Sequence, residues 1–421
     1  MLLENHFPED VRVRQEAYKL VEYGYQVTVL AQLSEKGQAR KELVNGVTVY
    51  RIPLLEIFAK SAPANSLPGK IYRKLLSTIG YLAEYAYFTS ACFVYSCYIL
   101  FKEGFDAIHL HNPPNTPFVV GAFFRLLGKK FVFDHHDLAP ELYLSRVGRR
   151  EGGLVYRALM LEEKLCLRSA NLVISTNESY QQIAIQRGGK YPENVFVVRN
   201  GPDLSRAMFQ PVPPDPQLQA MGKKILVYLG VMGPQDGVDY LVRALKELRD
   251  TLGRNDFYCL IIGKGESVAG LKQLAAELGL NDSLRFTGFV PTADLVRYLS
   301  SADICLDPNP SSPLNDVSTW VKVLEYMAFA KPVVSFDLKE TRTSAGKAAL
   351  YVEPNNELAY AKAIAALMDD PARREAMGRF GRERLEKQLS WAHVSRNLII
   401  AYDRLFGHPE RITTPGLEHD L

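Results

Sequence analysis

Residues 315–330, Asn315 to Ala330, read NDVSTWVKVLEYMAFA. A polar loop feeds a helix here. Ser318 or Thr319 can serve as its N-cap, and Trp320 to Met327 contain no breaker. The first turn of such a helix offers unpaired N–H groups and the positive end of the peptide dipole, a combination that suits a phosphate. Lys322 lies in that turn and adds a full positive charge. Glu325, three residues on, reaches the same side. A carboxylate there suits two neighbouring hydroxyls, as on a ribose. An exposed helix with an ordinary i,i+3 ion pair would show the same two residues, and on their own they favour neither reading. The segment runs through Lys331-Pro332 into a short β-rich run, Val333 to Phe336.

The flanks tip the balance. The string KVLEYMAFAKPVVSFD, residues 322–337, resembles the donor-binding motif of GT-B glycosyltransferases, specifically family 4. The resemblance implies that Glu325 grips the ribose of a nucleotide-sugar. It also implies that the helix start at Thr319, Trp320 and Val321 receives the diphosphate, with Lys322 beside it. The family often carries a second Glu eight residues earlier, on the donor sugar. Here that position is Val317, and Asp316 next to it is the candidate substitute.

A chain of 421 residues is long for one core, and two domains are expected. Composition is that of an ordinary globular protein, 47% apolar and 23% charged. A net charge of +3 is too small to argue for nucleic acid. The five cysteines have no metal spacing and sit in apolar surroundings, so buried, reduced thiols in a cytoplasmic protein are expected. Met1-Leu2-Leu3 is followed at once by Glu4, unlike a secretory signal.

Residues 1–4 read as the end of a strand whose beginning is missing. A helix from about Val11 to Tyr23, closed by Gly24, lies before strands at Tyr25–Ala31 and Val47–Ile52, and that spacing implies a parallel sheet. Residues 53–70 read as loop. Between Glu84 and Lys102 stand 17 uncharged residues, preceded by Lys70, Arg73 and Lys74. Three readings compete for 71–102: a buried helix of the first domain, a helix in the membrane interface, and a span. The span has the least support, because the βα pattern resumes directly afterwards.

Phe105–Leu110 and Phe131–His135 are strands ending in His111-Asn112-Pro113-Pro114 and Asp134-His135-His136-Asp137. They deliver His and carboxylates to the carboxyl edge of the sheet, where open parallel sheets bind ligands. Any single strand-end His is more simply read as bonding its own loop. His109, His111, His135 and His136 have the right chemistry for a metal. The phrases DAIHLHNPP and FVFDHHDLAPELY, however, resemble the matching loops of the glycosyltransferase family, which works without one. By that resemblance His136 lies near the donor sugar, and Asn5, His111, Asp137 and Glu141 lie on the acceptor side. The basic run from Arg146 to Arg168, including Arg149 and Arg150, reads as a solvated helix face or the border of an anionic lipid-linked acceptor.

Five prolines between Pro202 and Gly222 mark an inter-domain linker. A second α/β pattern follows. Its first two strands end in the glycine turns Gly230-Val231-Met232-Gly233 and Gly263-Lys264-Gly265, which let a phosphate approach the backbone. Tight βα turns need glycine anyway, and the dinucleotide fingerprint is absent. In the family the first turn carries an Arg and a Lys for the diphosphate. Here Val231 or Met232 and Asp236 stand in their places, leaving Lys322 and Lys264 as replacements. The wording GVMGPQDGVDYL is similar to a subgroup acting in surface-polysaccharide synthesis.

The expected fold is α/β: two Rossmann-like domains, 1–204 and 223–390, with parallel sheets facing across a cleft. Residues 205–222 are the linker, and a closing helix at 391–407 crosses back. The resemblance implies a retaining transferase that moves a sugar from a UDP- or GDP-linked donor to a saccharide or lipid-linked saccharide. The nucleotide-sugar is a co-substrate, with no further cofactor. A cytoplasmic place with peripheral contact at the inner membrane face is expected. Two alternatives stay open: an epimerase or phosphorylase on the same fold, and a silent nucleotide-sugar-binding subunit.

Overall fold

A computed structural model describes residues 1–34, 37–55, 67–147 and 152–408. Arg149, Arg150, much of the loop expected at 53–70, the side chains of Lys70, Arg73 and Lys74, and the tail after His408 lie outside the described residues. The chain divides into two compact units. The first comprises residues 1–140, 152–198 and 395 onward, the second 141–151 and 199–394.

The first unit holds strands β1 (Leu2–His6), β2 (Thr28–Gln32), β3 (Lys41–Val44), β4 (Val47–Ile52), β5 (Ala107–His111), β6 (Lys130–His135), β7 (Leu172–Ser175) and β8 (Val195–Val197). They form one sheet in the order β3-β4-β2-β1-β5-β6-β7-β8, parallel except for β3 against β4. Apolar runs such as FVF of β6 and LVI of β7 are buried along their length, as strands covered by helices on both faces must be. β1 pairs with both neighbours, Leu2 opposite Leu30 and Leu110. The second strand begins at Thr28, three residues later than expected. β3 is an addition to the expected strands, and its hairpin turns on Asn45-Gly46, both at positive φ (47° and 82°). That dipeptide between two β runs is the sequence signal for such a turn.

The helix Val11–Glu22 is capped by Asp10, which accepts from the N–H groups of Arg12 and Val13. It buries Val13, Glu16, Ala17 and Leu20, so a carboxylate rides on its apolar stripe. The helix Leu67–Lys102 buries Phe88, Cys92, Ser96 and Ile99 at helical spacing against the sheet core. Among the described residues no helix is long and apolar enough to cross a membrane.

The second unit is fully parallel: β9 (Lys224–Leu229), β10 (Phe257–Ile262), β11 (Leu284–Gly288), β12 (Ile304–Asp307), β13 (Val333–Phe336) and β14 (Ala349–Val352), in the order β11-β10-β9-β12-β13-β14. Alternate residues of these strands feed an apolar cluster on each face. The proline-rich segment packs on this unit: Phe209 and Leu218 are buried, and the N–H groups of Val212 and Asp215 donate to Ser300 Oγ and Ser301 Oγ. The last helix, Trp391–Phe406, belongs to the first unit from Ser395 on.

Candidate functional site

In the second unit the helix expected to hold the donor runs from Val321 to Ala328, later than the Ser318 or Thr319 cap would place it. Trp320 is the N-cap residue and provides no side-chain cap. The two hydroxyls are used elsewhere: Ser318 Oγ donates to Leu314 O (2.7 Å) and Thr319 Oγ1 to Glu340 Oε2 (3.5 Å). The helix therefore starts without the side-chain oxygen that would satisfy its first N–H groups.

Lys322 is not an exposed cation. It is 7% exposed, and its Nζ donates to Asn309 Oδ1 (2.8 Å) and Tyr228 Oη (3.4 Å), 3.8 Å from Asp307 Oδ1. The Tyr228 and Trp320 rings lie 4.7 and 5.4 Å from it. Burial pushes Lys322 down, opposed by Asp307 and Asp236. Burial pushes both of those carboxyls up, opposed by Lys322. Asp236, where the resemblance expects a Lys, is 3% exposed and accepts from Gly233 N (2.9 Å). Val231, at one of the two positions matching the family's Arg, is exposed. The basic pair is thus replaced by one buried lysine between two buried carboxylates. Glu325 is half-buried and, among the described residues, has no hydrogen-bond partner. Burial pushes its carboxyl up to about 7, opposed by Lys322.

The glycine turns brace one another. Gly230 N donates to Ile262 O and Met232 N to Lys264 O, both at 3.0 Å. A Cβ on Gly263 (φ 133°) would fall 1.9 Å from Gly230 O, and one on Gly265 2.3 Å from Met232 O. A Cβ on Gly230 would lie 3.4 Å from Lys322 Cε, so this turn sits over the buried lysine. Gly263→Ala is expected to destabilise the chain by about 2–3 kcal/mol through overpacking and backbone strain, read from urea unfolding. An unchanged midpoint would show that the turns separate freely. Lys264 is exposed, its amine 5.8 Å from the Phe289 ring centroid. Asp316 accepts from Ser311 Oγ (3.2 Å), and Val321 is 40% exposed.

In the first unit the two His-bearing strand ends meet on Asp134. Its Oδ2 accepts from His111 Nδ1 (2.7 Å) and His136 Nε2 (2.6 Å), with His109 Nε2 at 3.7 Å. His109 Nδ1 lies 2.9 Å from Tyr402 Oη. Glu16 closes the group, Oε2 3.8 Å from His109 Nε2 and Oε1 3.9 Å from His136 Nε2. Burial, and then the charge of Asp134, raise Glu16 well above the carboxylate range. Burial opposes ionisation of Asp134 too, but His136, His109 and His111 hold it well below. Burial lowers His109 and takes His111 down to about 3, with His109 adding to the second shift. The surroundings thus favour a proton on Glu16, a charge on Asp134 and neutral imidazoles at His109 and His111.

His136 and His111, expected at the ligand edge, turn their side chains into this core; those side chains are 1% and 0% exposed. Asn5 is exposed and donates to Asp10 Oδ2 (3.0 Å). Asp137 is half-buried, with its backbone held at both N and O by the Asn112 amide, and Glu141 is buried. His135 points away from Asp134 and meets Glu163 (3.2 Å), which pairs with Arg187. Glu16, His111, Asp134 and His136 offer ligand atoms within 4.8 Å of one another. Yet the 2.6 and 2.7 Å contacts at Asp134 are hydrogen bonds. Two ligands on a tetrahedral zinc would stand about 3.4 Å apart. As arranged, the set fits protons better than a metal ion.

Comparison with known proteins covers both units. Residues 10–201 match the family model described as glycosyl transferase 4-like domain, and residues 223–370 match glycosyl transferases group 1. The 2-deoxystreptamine glucosyltransferase of Streptomyces kanamyceticus is 26% identical over 67% of this chain and 73% of its own. A D-inositol 3-phosphate glycosyltransferase of Jonesia denitrificans is 28% identical over 58% of this chain, and the match spans 59% of that relative's length. Among solved structures, sucrose-phosphate synthase from Thermosynechococcus elongatus superposes with a TM-score of 0.73 at 21% identity, over 96% of this chain and 95% of its own, a likeness of fold.

Proposed function

The chain belongs to the GT-B glycosyltransferases, and from that premise we propose that it moves a sugar from a nucleoside diphosphate to an acceptor hydroxyl with retention of configuration. Glu325 carries this reading: a half-buried carboxyl without a hydrogen-bond partner among the described residues, one turn into a helix whose start lacks a side-chain cap. In the proposed complex the ribose hydroxyls donate to Glu325, and the first N–H groups, Trp320 to Lys322, receive the diphosphate. Transfer needs stabilisation of the leaving diphosphate and of positive charge on the sugar. The helix end serves the first need with exposed Lys264. Lys322, already matched by Asp307 and Asp236, acts mainly by holding the Gly230 turn and the helix together. Because those two carboxylates are committed to Lys322, we assign no glycosidase-like nucleophile.

The acceptor is proposed to be a saccharide, free or lipid-linked, in surface-glycan synthesis. The names of the two relatives favour a second acceptor class, ring polyols, since 2-deoxystreptamine and inositol phosphate are both six-membered cyclitols. A thermal-shift series with UDP, GDP and ADP tests the donor half of the proposal. One nucleotide is expected to raise the melting temperature, because a ligand held by the native state alone adds about 2.7 kcal/mol at a hundred times its Kd. If none of the three shifts the chain at millimolar concentration, the transferase proposal fails.

A further inference from the structure

The first unit carries another concave site, at the edge of its sheet where β6, β7 and β8 begin. A cavity of about 480 Å³ is lined by Arg125, Lys130, Arg168, Lys190, Tyr191 and Arg404, and no lining residue is acidic. The topology gathers these cations. Arg125, Arg168 and Arg404 each lie in the last turn of a helix, Lys130 opens β6, and Lys190 lies between a helix and β8. In a parallel sheet the helices return to this edge, so their C-terminal turns converge on it.

Part of the cluster has a plain explanation. Cations near helix C-termini bond the last carbonyls and offset the dipole. Arg125 Nη1 donates to Ser169 O (2.7 Å), Lys190 Nζ to Ala170 O (2.6 Å) and Arg168 Nε to Gly188 O (3.4 Å). A carbonyl occupies one N–H and cancels no formal charge. Among the described residues none of the five cations pairs with a carboxylate, and Lys130 and Arg404 have no side-chain hydrogen bond. Burial, and then the charge of Arg125, push Lys190 down to about 8. The cavity is of a size that takes small ligands.

We propose that this cavity binds a phosphate group bearing at least two negative charges, held by the forks of Arg125, Arg168 and Arg404 and the amines of Lys130 and Lys190. Guanidinium groups bind phosphate oxygens bidentately and do so best where no carboxylate competes. The ligand's source is either a soluble diphosphate or a phospholipid headgroup. The proposal is independent of the donor reading, since its residues all lie in the first unit.

Calorimetric titration with inorganic pyrophosphate, and flotation with vesicles of phosphatidic acid and phosphatidylcholine in equal parts, test it on the full chain. Wild type is compared with the double variant Arg168→Gln/Arg404→Gln, whose two exposed side chains can change without opening the core. Pyrophosphate binding that weakens about tenfold or more in the double variant, while its nucleotide binding stays as in wild type, supports a soluble ligand. Vesicle binding that pyrophosphate displaces and the double variant loses supports a headgroup. In either case Arg404→Lys should restore part of what glutamine removes. The proposal is overturned if neither probe binds, or if the double variant melts like wild type and binds just as tightly. A wild type that binds pyrophosphate but no nucleotide would sink the transferase reading and leave this site standing.

Discussion

Glu325→Ala is expected to weaken nucleotide binding about a hundredfold, since two hydroxyl donors to a carboxylate contribute about 1.5–3 kcal/mol each and part of that is recovered by solvent. The fold should not suffer. Alanine suits a helix interior, and no hydrogen bond of Glu325 is lost. The pH dependence makes the test sharper. The folded carboxyl titrates at about 7, above its ordinary value, so the folded chain keeps a proton that the unfolded chain has released. Stability therefore falls as pH rises from the ordinary Glu value to about 7, and Glu325→Gln, lacking this term, should be more stable than wild type above that range by about 1–2 kcal/mol after allowance for solvent screening. Ribose hydroxyls need the ionised form as acceptor. Wild-type affinity should accordingly climb with pH up to about 7 and then level off, whereas Glu325→Gln should bind weakly with no such climb. Isothermal titration across that range decides the matter. If Glu325→Ala binds nucleotide as wild type does, the carboxylate has another task.

What the sequence disclosed about this helix, and what it hid, have one cause. The positions of Lys322 and Glu325 follow from helical spacing, which is local. The partners that bury Lys322 are not local: Tyr228 is 94 residues away and Asn309 is 13. Ser318 and Thr319 look like caps because their chemistry is right, but a hydroxyl bonds whatever acceptor the tertiary fold brings, here Leu314 and Glu340. The parallel sheets were legible for the same local reason, as apolar runs alternating with helical periods. β3 went unread because its four residues carry little apolar signal, although Asn45-Gly46 announced the turn. At the N-terminal cluster, the histidines at the strand ends stood out, and their neighbour Asp134 passed as one polar residue among several. Glu16 left the better clue: a carboxylate on the apolar stripe formed by Val13, Ala17 and Leu20 requires a buried partner.

That partner makes Asp134→Ala the substitution expected to cost most in stability, about 3–5 kcal/mol, the range for removing one member of a buried charged network. The change would strip the acceptor from two imidazole N–H groups and remove the charge that helps raise Glu16. Asp134→Asn keeps an acceptor oxygen and should cost less. A purely structural filler would be as sensitive to shape as to charge, so His111→Asn supplies the discriminating measurement. Folded His111 refuses a proton down to about 3, while the unfolded chain takes one up near the ordinary His value. Wild type therefore loses up to about 1.4 kcal/mol of stability per pH unit below about 6.5 through this residue alone. His111→Asn lacks that loss, and Glu16 and Glu325 titrate in both chains. The deficit of His111→Asn should be greatest near neutrality and should narrow as the solution is made acidic, by urea unfolding at a series of pH values. A deficit that stays constant would mean His111 is protonated in the folded chain. The Asp134 carboxylate would then pair with a His111 cation instead of accepting from a neutral imidazole.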